Sequence, residues 1–108
     1  MKRFGMVCRL KPDRIEAYRK PHAEVWPEVL DMIRQCNLQN YSIFLKDDLL
    51  FSYFEYNGSD YQSDMEKMGN GPVTRQWWDV CKPCMDPLES RAAGEWWAQM
   101  EEVFHTRG

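Results

Sequence analysis

The chain is short of most features that mark a functional class. Four cysteines in 108 residues are too few for a secreted disulfide scaffold, and a domain of this length buries roughly 65% of its unfolded surface without staples. No apolar run approaches the roughly 20 residues that span a bilayer. The N-terminal Met-Lys-Arg-Phe-Gly-Met lacks a signal peptide's apolar core and cleavage site. A cytoplasmic protein without membrane contact is therefore expected. The 14 Lys and Arg residues are scattered and the net charge is -3, so no basic face for nucleic acid is visible. Glycine-rich phosphate loops, a Ser-His-Asp elbow and H-E-x-x-H spacing are all missing. Cys81-Lys-Pro-Cys84 is a C-x-x-C, but no second ligand pair accompanies it and no thioredoxin-like strand precedes it. Cys8 and Cys36 fall on apolar faces, where a thiol behaves as a small hydrophobe.

Aromatic residues are abundant instead, with five each of Trp, Tyr and Phe, including the doublets Trp77-Trp78 and Trp96-Trp97. Neighbours on a helix or strand point different ways, so one ring of each doublet is expected near a pocket or interface. The first of only two histidines lies in Tyr18-Arg-Lys-Pro-His22-Ala-Glu-Val-Trp26-Pro-Glu28. Apolar residues at Ile15, Tyr18, Val25, Trp26, Val29, Ile33 and Cys36 keep a helical spacing in which His22 fills the gap. Tyr18 and His22, four apart, leave the same helix face. Such a histidine has two readings: a core imidazole with both ring nitrogens satisfied, or an acid-base group. Pro21 and Pro27 each remove a helical donor and restrict the residue before them, which predicts an irregularity near residues 19–23 beside His22. Local inconsistencies of this kind tend to sit at functional sites.

Residues 3–10 alternate, with Phe4, Met6, Cys8 and Leu10 on one side, predicting a half-buried strand. Lys11-Pro12-Asp13 opens a first short helix, and a second helical piece runs to about residue 35. Residues 40–46 and 49–56 predict two antiparallel strands around Asp47-Asp48, the first with Tyr41, Ile43 and Leu45 on one face and Asn40, Ser42 and Phe44 on the other. Ser59-Asp-Tyr-Gln62 resembles a capping box for a helix ending at Gly69. Gly71-Pro72 opens another, on which Val73, Trp77 and Cys81 share a face and Trp78 lies about 100° away. Residues 82–98 read as a long surface excursion with Trp96 and Trp97 packed back, and residues 100–106 as a last strand.

This order predicts a single domain of the α+β class, a ferredoxin-like sandwich with an antiparallel sheet and helices on one face, of the dimeric α+β barrel type. The other sheet face carries aromatics and is expected to meet a second copy, enclose a ligand, or do both.

The pocket-type groups are one imidazole, tyrosine hydroxyls, indole rings, Asn40, and Arg and Glu within reach. They suit proton transfer on a carbohydrate, whose C–H faces stack on rings while its hydroxyls meet polar groups. Together, Tyr18-x-x-x-His22-x-x-x-Trp26-Pro27-Glu28, Asn40-Tyr41-Ser42-Ile43, Trp77-Trp78 and Glu101-Glu102-Val103-Phe104-His105 resemble the L-rhamnose mutarotase family over nearly the whole chain. The resemblance implies a homodimer that interconverts the α and β anomers of a deoxy-sugar pyranose, L-rhamnose or a relative such as L-fucose, without metal or cofactor. It implies His22 as the proton donor, with Tyr18, Tyr41, Trp77 and Trp78 contacting the monosaccharide. Gly94-Glu95-Trp96-Trp97 looks like an added feature of a subgroup. Two other readings stay open: a dimeric haem-binding or monooxygenase-like protein with His22 as axial ligand, and a non-catalytic sugar-binding module.

Overall fold

The computed structural model describes residues 1–108, with strands β1 (Lys2–Leu10), β2 (Leu38–Lys46), β3 (Leu49–Tyr56), β4 (Met85–Asp86) and β5 (Ala98–Met100). Four helices, α1 (Ile15–His22), α2 (Pro27–Gln35), α3 (Tyr61–Gly69) and α4 (Pro72–Cys81), join them. The sheet runs β2-β3-β1-β4, with β5 also on β1, and every pairing is antiparallel. The expected α+β sandwich is therefore the observed one.

The β1–β3 pair sets the layers. Cys8 lies opposite Leu50, Met6 opposite Ser52 and Phe4 opposite Phe54. The even-numbered residues thus face the helices, and Cys8, Leu10, Leu50, Ser52, Phe54 and Tyr56 are buried. Leu10 and Leu50 are among the most completely buried side chains, each worth about 1.5–3 kcal/mol by transfer from water. The odd-numbered face carries Val7, Phe51 and Tyr53, and Phe44 of β2 beside them is 64% exposed. This is the uncovered aromatic face anticipated above.

Strand β2 is not regular. Gln39 pairs with Glu55 and Ser42 with Tyr53, so three steps on β2 match two on β3. The extra residue is a bulge. Asn40 takes it up at φ +50, a left-handed conformation that asparagine tolerates better than most residues. The bulge reverses the strand's inside–outside parity, so Leu38 before it and Tyr41 and Ile43 after it all face the helices. Asp47, in the turn to β3, also has positive φ (+56), which lets a two-residue link close without glycine.

Four local expectations need correction. Helix α1 continues through Pro21 to His22, and the irregular stretch lies at 23–26 rather than 19–23, because Pro27 holds Trp26 extended (φ -58, ψ 136). Asp60, not Ser59, caps α3, its carboxylate accepting from the Ser63 amide at 3.1 Å. The excursion over 82–98 is interrupted by β4, where Met85 pairs with Leu10 and is buried. The last strand spans only Ala98–Met100, and residues 101–108 form no regular structure although Arg3 pairs with Glu102 at 2.7 Å. Val103 and Phe104 consequently stand 88% and 78% exposed.

Replacing Asn40 by valine puts a β-branched residue where φ is positive. The expected result is a stability loss of about 1–3 kcal/mol, read from chemical denaturation midpoints at unchanged slope.

Candidate active site

The helices do not seal the sheet with one continuous core. One cluster gathers around Cys8, Leu10, Leu50, Tyr18 and Trp77, and a second around Leu38, Phe54 and Tyr56 with Tyr61 and Met65 packed against it. Between them lies a cleft of about 260 Å³, lined by Tyr18 and Trp77 from the first cluster and Phe54 and Tyr61 from beside or within the second. It shares lining residues with a second cavity of about 380 Å³, whose walls also include Val25, Val29, Ile33 and Thr74. His22, Tyr41, Trp77 and Trp78 line both.

The five residues singled out as site candidates therefore meet in one place. Tyr18 and His22 stack with ring centroids 4.1 Å apart, as their four-residue helical spacing requires. Trp77 is only 7% exposed; its ring meets His22 edge-on at 5.0 Å and Trp26 at 5.2 Å, so it is both core and wall. Trp78, one position on, is half-buried and lies under the Lys82 ammonium. Tyr41 packs on Phe54 at 5.3 Å because the bulge turns it inward. Asn40 does not join them: its side-chain amide donates to Glu55 at 2.6 Å on an exposed surface.

His22 Nδ1 lies 2.7 Å from the Tyr18 backbone carbonyl. A carbonyl can only accept, so Nδ1 carries the proton and Nε2 keeps its lone pair. Burial lowers the His22 pKa, and the bond to Tyr18 offsets part of that effect. The ring is consequently neutral at pH 7. Burial pushes the Tyr18 phenol well above the ordinary range and that of Tyr41 up to about 12, although 39% of the Tyr41 surface is exposed. Both stay protonated as hydrogen-bond donors.

A sequence model of L-rhamnose mutarotase matches residues 3–106. The chain belongs to the L-rhamnose mutarotase family. Relatives named L-rhamnose mutarotase include those of Oceanobacillus iheyensis, 33% identical over 97% of this chain and 98% of the relative, and Lactiplantibacillus plantarum, 32% identical over the same shares. In structure the chain is similar to an L-rhamnose mutarotase from Formosa agariphila, with TM-score 0.76 and 22% identity over 99% of this chain and 100% of that one. It is similar as well to tetracenomycin F2 cyclase from Streptomyces glaucescens, a type-II polyketide cyclase, with TM-score 0.75 and 15% identity over 100% of this chain and 99% of that one. Those two likenesses concern the fold, which serves different chemistries.

Within this family member, sequence reasoning passed over Lys82, Tyr61 and Met6, all of which line the cleft. The signal for Lys82 was present, since it follows Trp78 by four residues; Met6 and Tyr61 looked like ordinary core on their own periodicities. The C-x-x-C is folded inward: Cys81 and Cys84 are buried free thiols, and burial pushes Cys81 up to about 12, far from a reactive thiolate. The second histidine, His105, lies on the exposed tail.

A proton titration of the His22 ring by NMR should show a midpoint below the ordinary value of about 6.5. The unfolded chain binds this proton at higher pH than the folded one, so the stability it contributes is complete above about 6.5 and is lost as pH falls through the folded pKa. A midpoint above the ordinary value would contradict this account of the site.

Proposed function

We propose that the chain is an aldose mutarotase interconverting the α and β anomers of L-rhamnose, with His22 as its acid-base group and Tyr18, Tyr41, Trp77 and Trp78 contacting the sugar. The observation that carries this reading is the His22 contact, in which Nδ1 is committed to the Tyr18 carbonyl and Nε2 is the free nitrogen of a residue lining both cavities. Family membership supports anomer chemistry over a haem-binding or monooxygenase role.

Mutarotation needs an acid and a base and no net change in covalent composition. The proton of the anomeric hydroxyl leaves as the bond from C1 to the ring oxygen breaks, and the ring oxygen gains a proton. Rotation about C1–C2 then presents the other face of the aldehyde, and closure reverses the proton movements. A neutral imidazole takes the hydroxyl proton at Nε2 and becomes an imidazolium that returns it on closure, so the donor role implied by the family resemblance belongs to the second half of the cycle. The phenols of Tyr18 and Tyr41, held protonated by burial, are the donors available to the ring oxygen. Positioned acid-base help of this kind is worth about 10² to 10⁴ in rate.

The active form in this reading is a cytoplasmic homodimer. Phe44, Phe51 and Val7 on the open face, with Val103 and Phe104 on the tail beyond β5, would leave a large apolar area wet in a monomer. Sedimentation at micromolar concentration is expected to show twice the chain mass, and a monomer alone would remove this part of the proposal.

His22→Ala separates a catalyst from a core histidine. Exchange between L-rhamnose anomers, measured by saturation-transfer NMR, should fall by about 10² or more while the variant stays folded and still binds the sugar. Wild-type exchange should decline as pH drops through the His22 pKa, and the variant should lose that limb. Wild-type rates in a folded His22→Ala protein would reject the assignment; sugar binding by the native chain without faster exchange would leave a non-catalytic sugar-binding module.

A further inference from the structure

The inner cleft contains one charge with nothing opposite it. Of its 17 lining residues 15 are hydrophobic, and the other two are His22 and Lys82; no acidic residue is among them. Lys82 lies just past the end of α4, four residues after Trp78, so its stem returns over that indole. Its Nζ is 4.6 Å from the Trp78 ring centroid and 4.9 Å from that of Trp96, which precedes β5 on the same edge of β1 that β4 pairs with just after Lys82. Indole faces attract an ammonium but accept none of its N–H bonds as an oxygen would. The chain's five ion pairs do not include Lys82. An ammonium with apolar neighbours is completed best by an anionic oxygen, with which it forms a charge-assisted hydrogen bond.

We propose that Lys82 is a specificity-determining residue that admits pyranoses bearing an anionic oxygen group, a carboxylate or a sulfate ester, on a carbon away from the anomeric centre. The inference rests on the reading of this cleft as the sugar site and extends its substrate class. Ring opening at His22 is the same for neutral and charged sugars, and Lys82 moves no proton in it. Trp78 and Trp96 flank the ammonium of the half-buried Lys82 and hold it at the cleft wall.

Anomer exchange by NMR on three sugars of the same ring configuration tests this: L-rhamnose, an L-rhamnose monosulfate, and L-mannuronic acid, which carries a carboxylate in place of the methyl group. Wild-type protein should exchange L-rhamnose and at least one of the charged sugars, and which one identifies the anion. In Lys82→Met the ratio of kcat/KM for that charged sugar to kcat/KM for L-rhamnose should fall about tenfold or more, chiefly through KM, on the scale of one charge-assisted hydrogen bond. Lys82→Arg, which keeps the charge and the stacking, should restore most of the ratio. Equal losses on charged and neutral sugars in Lys82→Met, with no recovery of the ratio in Lys82→Arg, would assign the side chain to packing and overturn the proposal. So would a wild-type protein that equilibrates L-rhamnose but neither charged sugar. Failure on L-rhamnose as well would strike the mutarotase reading itself, and this inference with it.

Discussion

The pleat of the β1–β3 pair is the constraint from which the rest of the molecule follows. Eight paired positions point alternate side chains to opposite faces, and only one face can be covered by four short helices. Leu10, Leu50, Cys8 and their even-numbered neighbours take that face, so the helices must lie over it. A one-residue slip would exchange the two faces wholesale, which is why the bulge at Asn40 matters: it makes that slip deliberately and on one strand only. Ahead of it β2 contributes Leu38 to core; beyond it the strand contributes Tyr41 to the cleft. A packing constraint is thereby turned into the placement of a polar hydroxyl.

The cleft exists because the helix layer is interrupted. Pro27 stops the helical path at Trp26, and the 23–26 break separates α1 from α2. The last turn of α1 then ends at the gap, with its final residue bonded back to a carbonyl one turn earlier. Two consequences meet at His22. The helix supplies the acceptor that selects the tautomer, and the aromatic surroundings disfavour the imidazolium. Both push toward a neutral ring with one free lone pair, the state from which a proton can be accepted. A second proline, Pro21, sits inside α1 and removes a backbone donor one residue away, at a cost that the packing of Tyr18 offsets.

The opposite sheet face has no such cover. Its aromatic and aliphatic side chains continue onto β5, and the chain then leaves the sheet after Met100 with only the Arg3–Glu102 pair to guide it. An exposed pair of this kind contributes little, and Val103 and Phe104 just beyond it stand exposed. The residues after Met100 that look like strand by alternation form none, although β1 extends to Lys2 and its edge still presents Phe4, Arg3 and Lys2 beyond the Gly5–Met100 pair.

Much of this was legible in the linear pattern, and the reason is local. Alternation in 3–10 and 49–56, the helical spacing of Tyr18 with His22 and of Val29 with Ile33, and Pro or Gly at helix starts are properties of a few consecutive residues, and the structure has them. The four-residue spacing of Tyr18 and His22 was enough to predict their stacking. What only the tertiary structure decided depends on residues distant in sequence. The burial that keeps His22 neutral needed Trp77, which meets it from α4; the inward turn of Tyr41 needed a register shift against β3; the charge environment of Lys82 needed Trp96, which lies just before β5. Asn40 was misread as a pocket group because its backbone conformation, not its amide, is what the site uses. A sequence determines which residues want burial and which local geometries they favour. Only the folded sheet decides which of them face each other across a gap, since that depends on a pairing register that no short stretch contains.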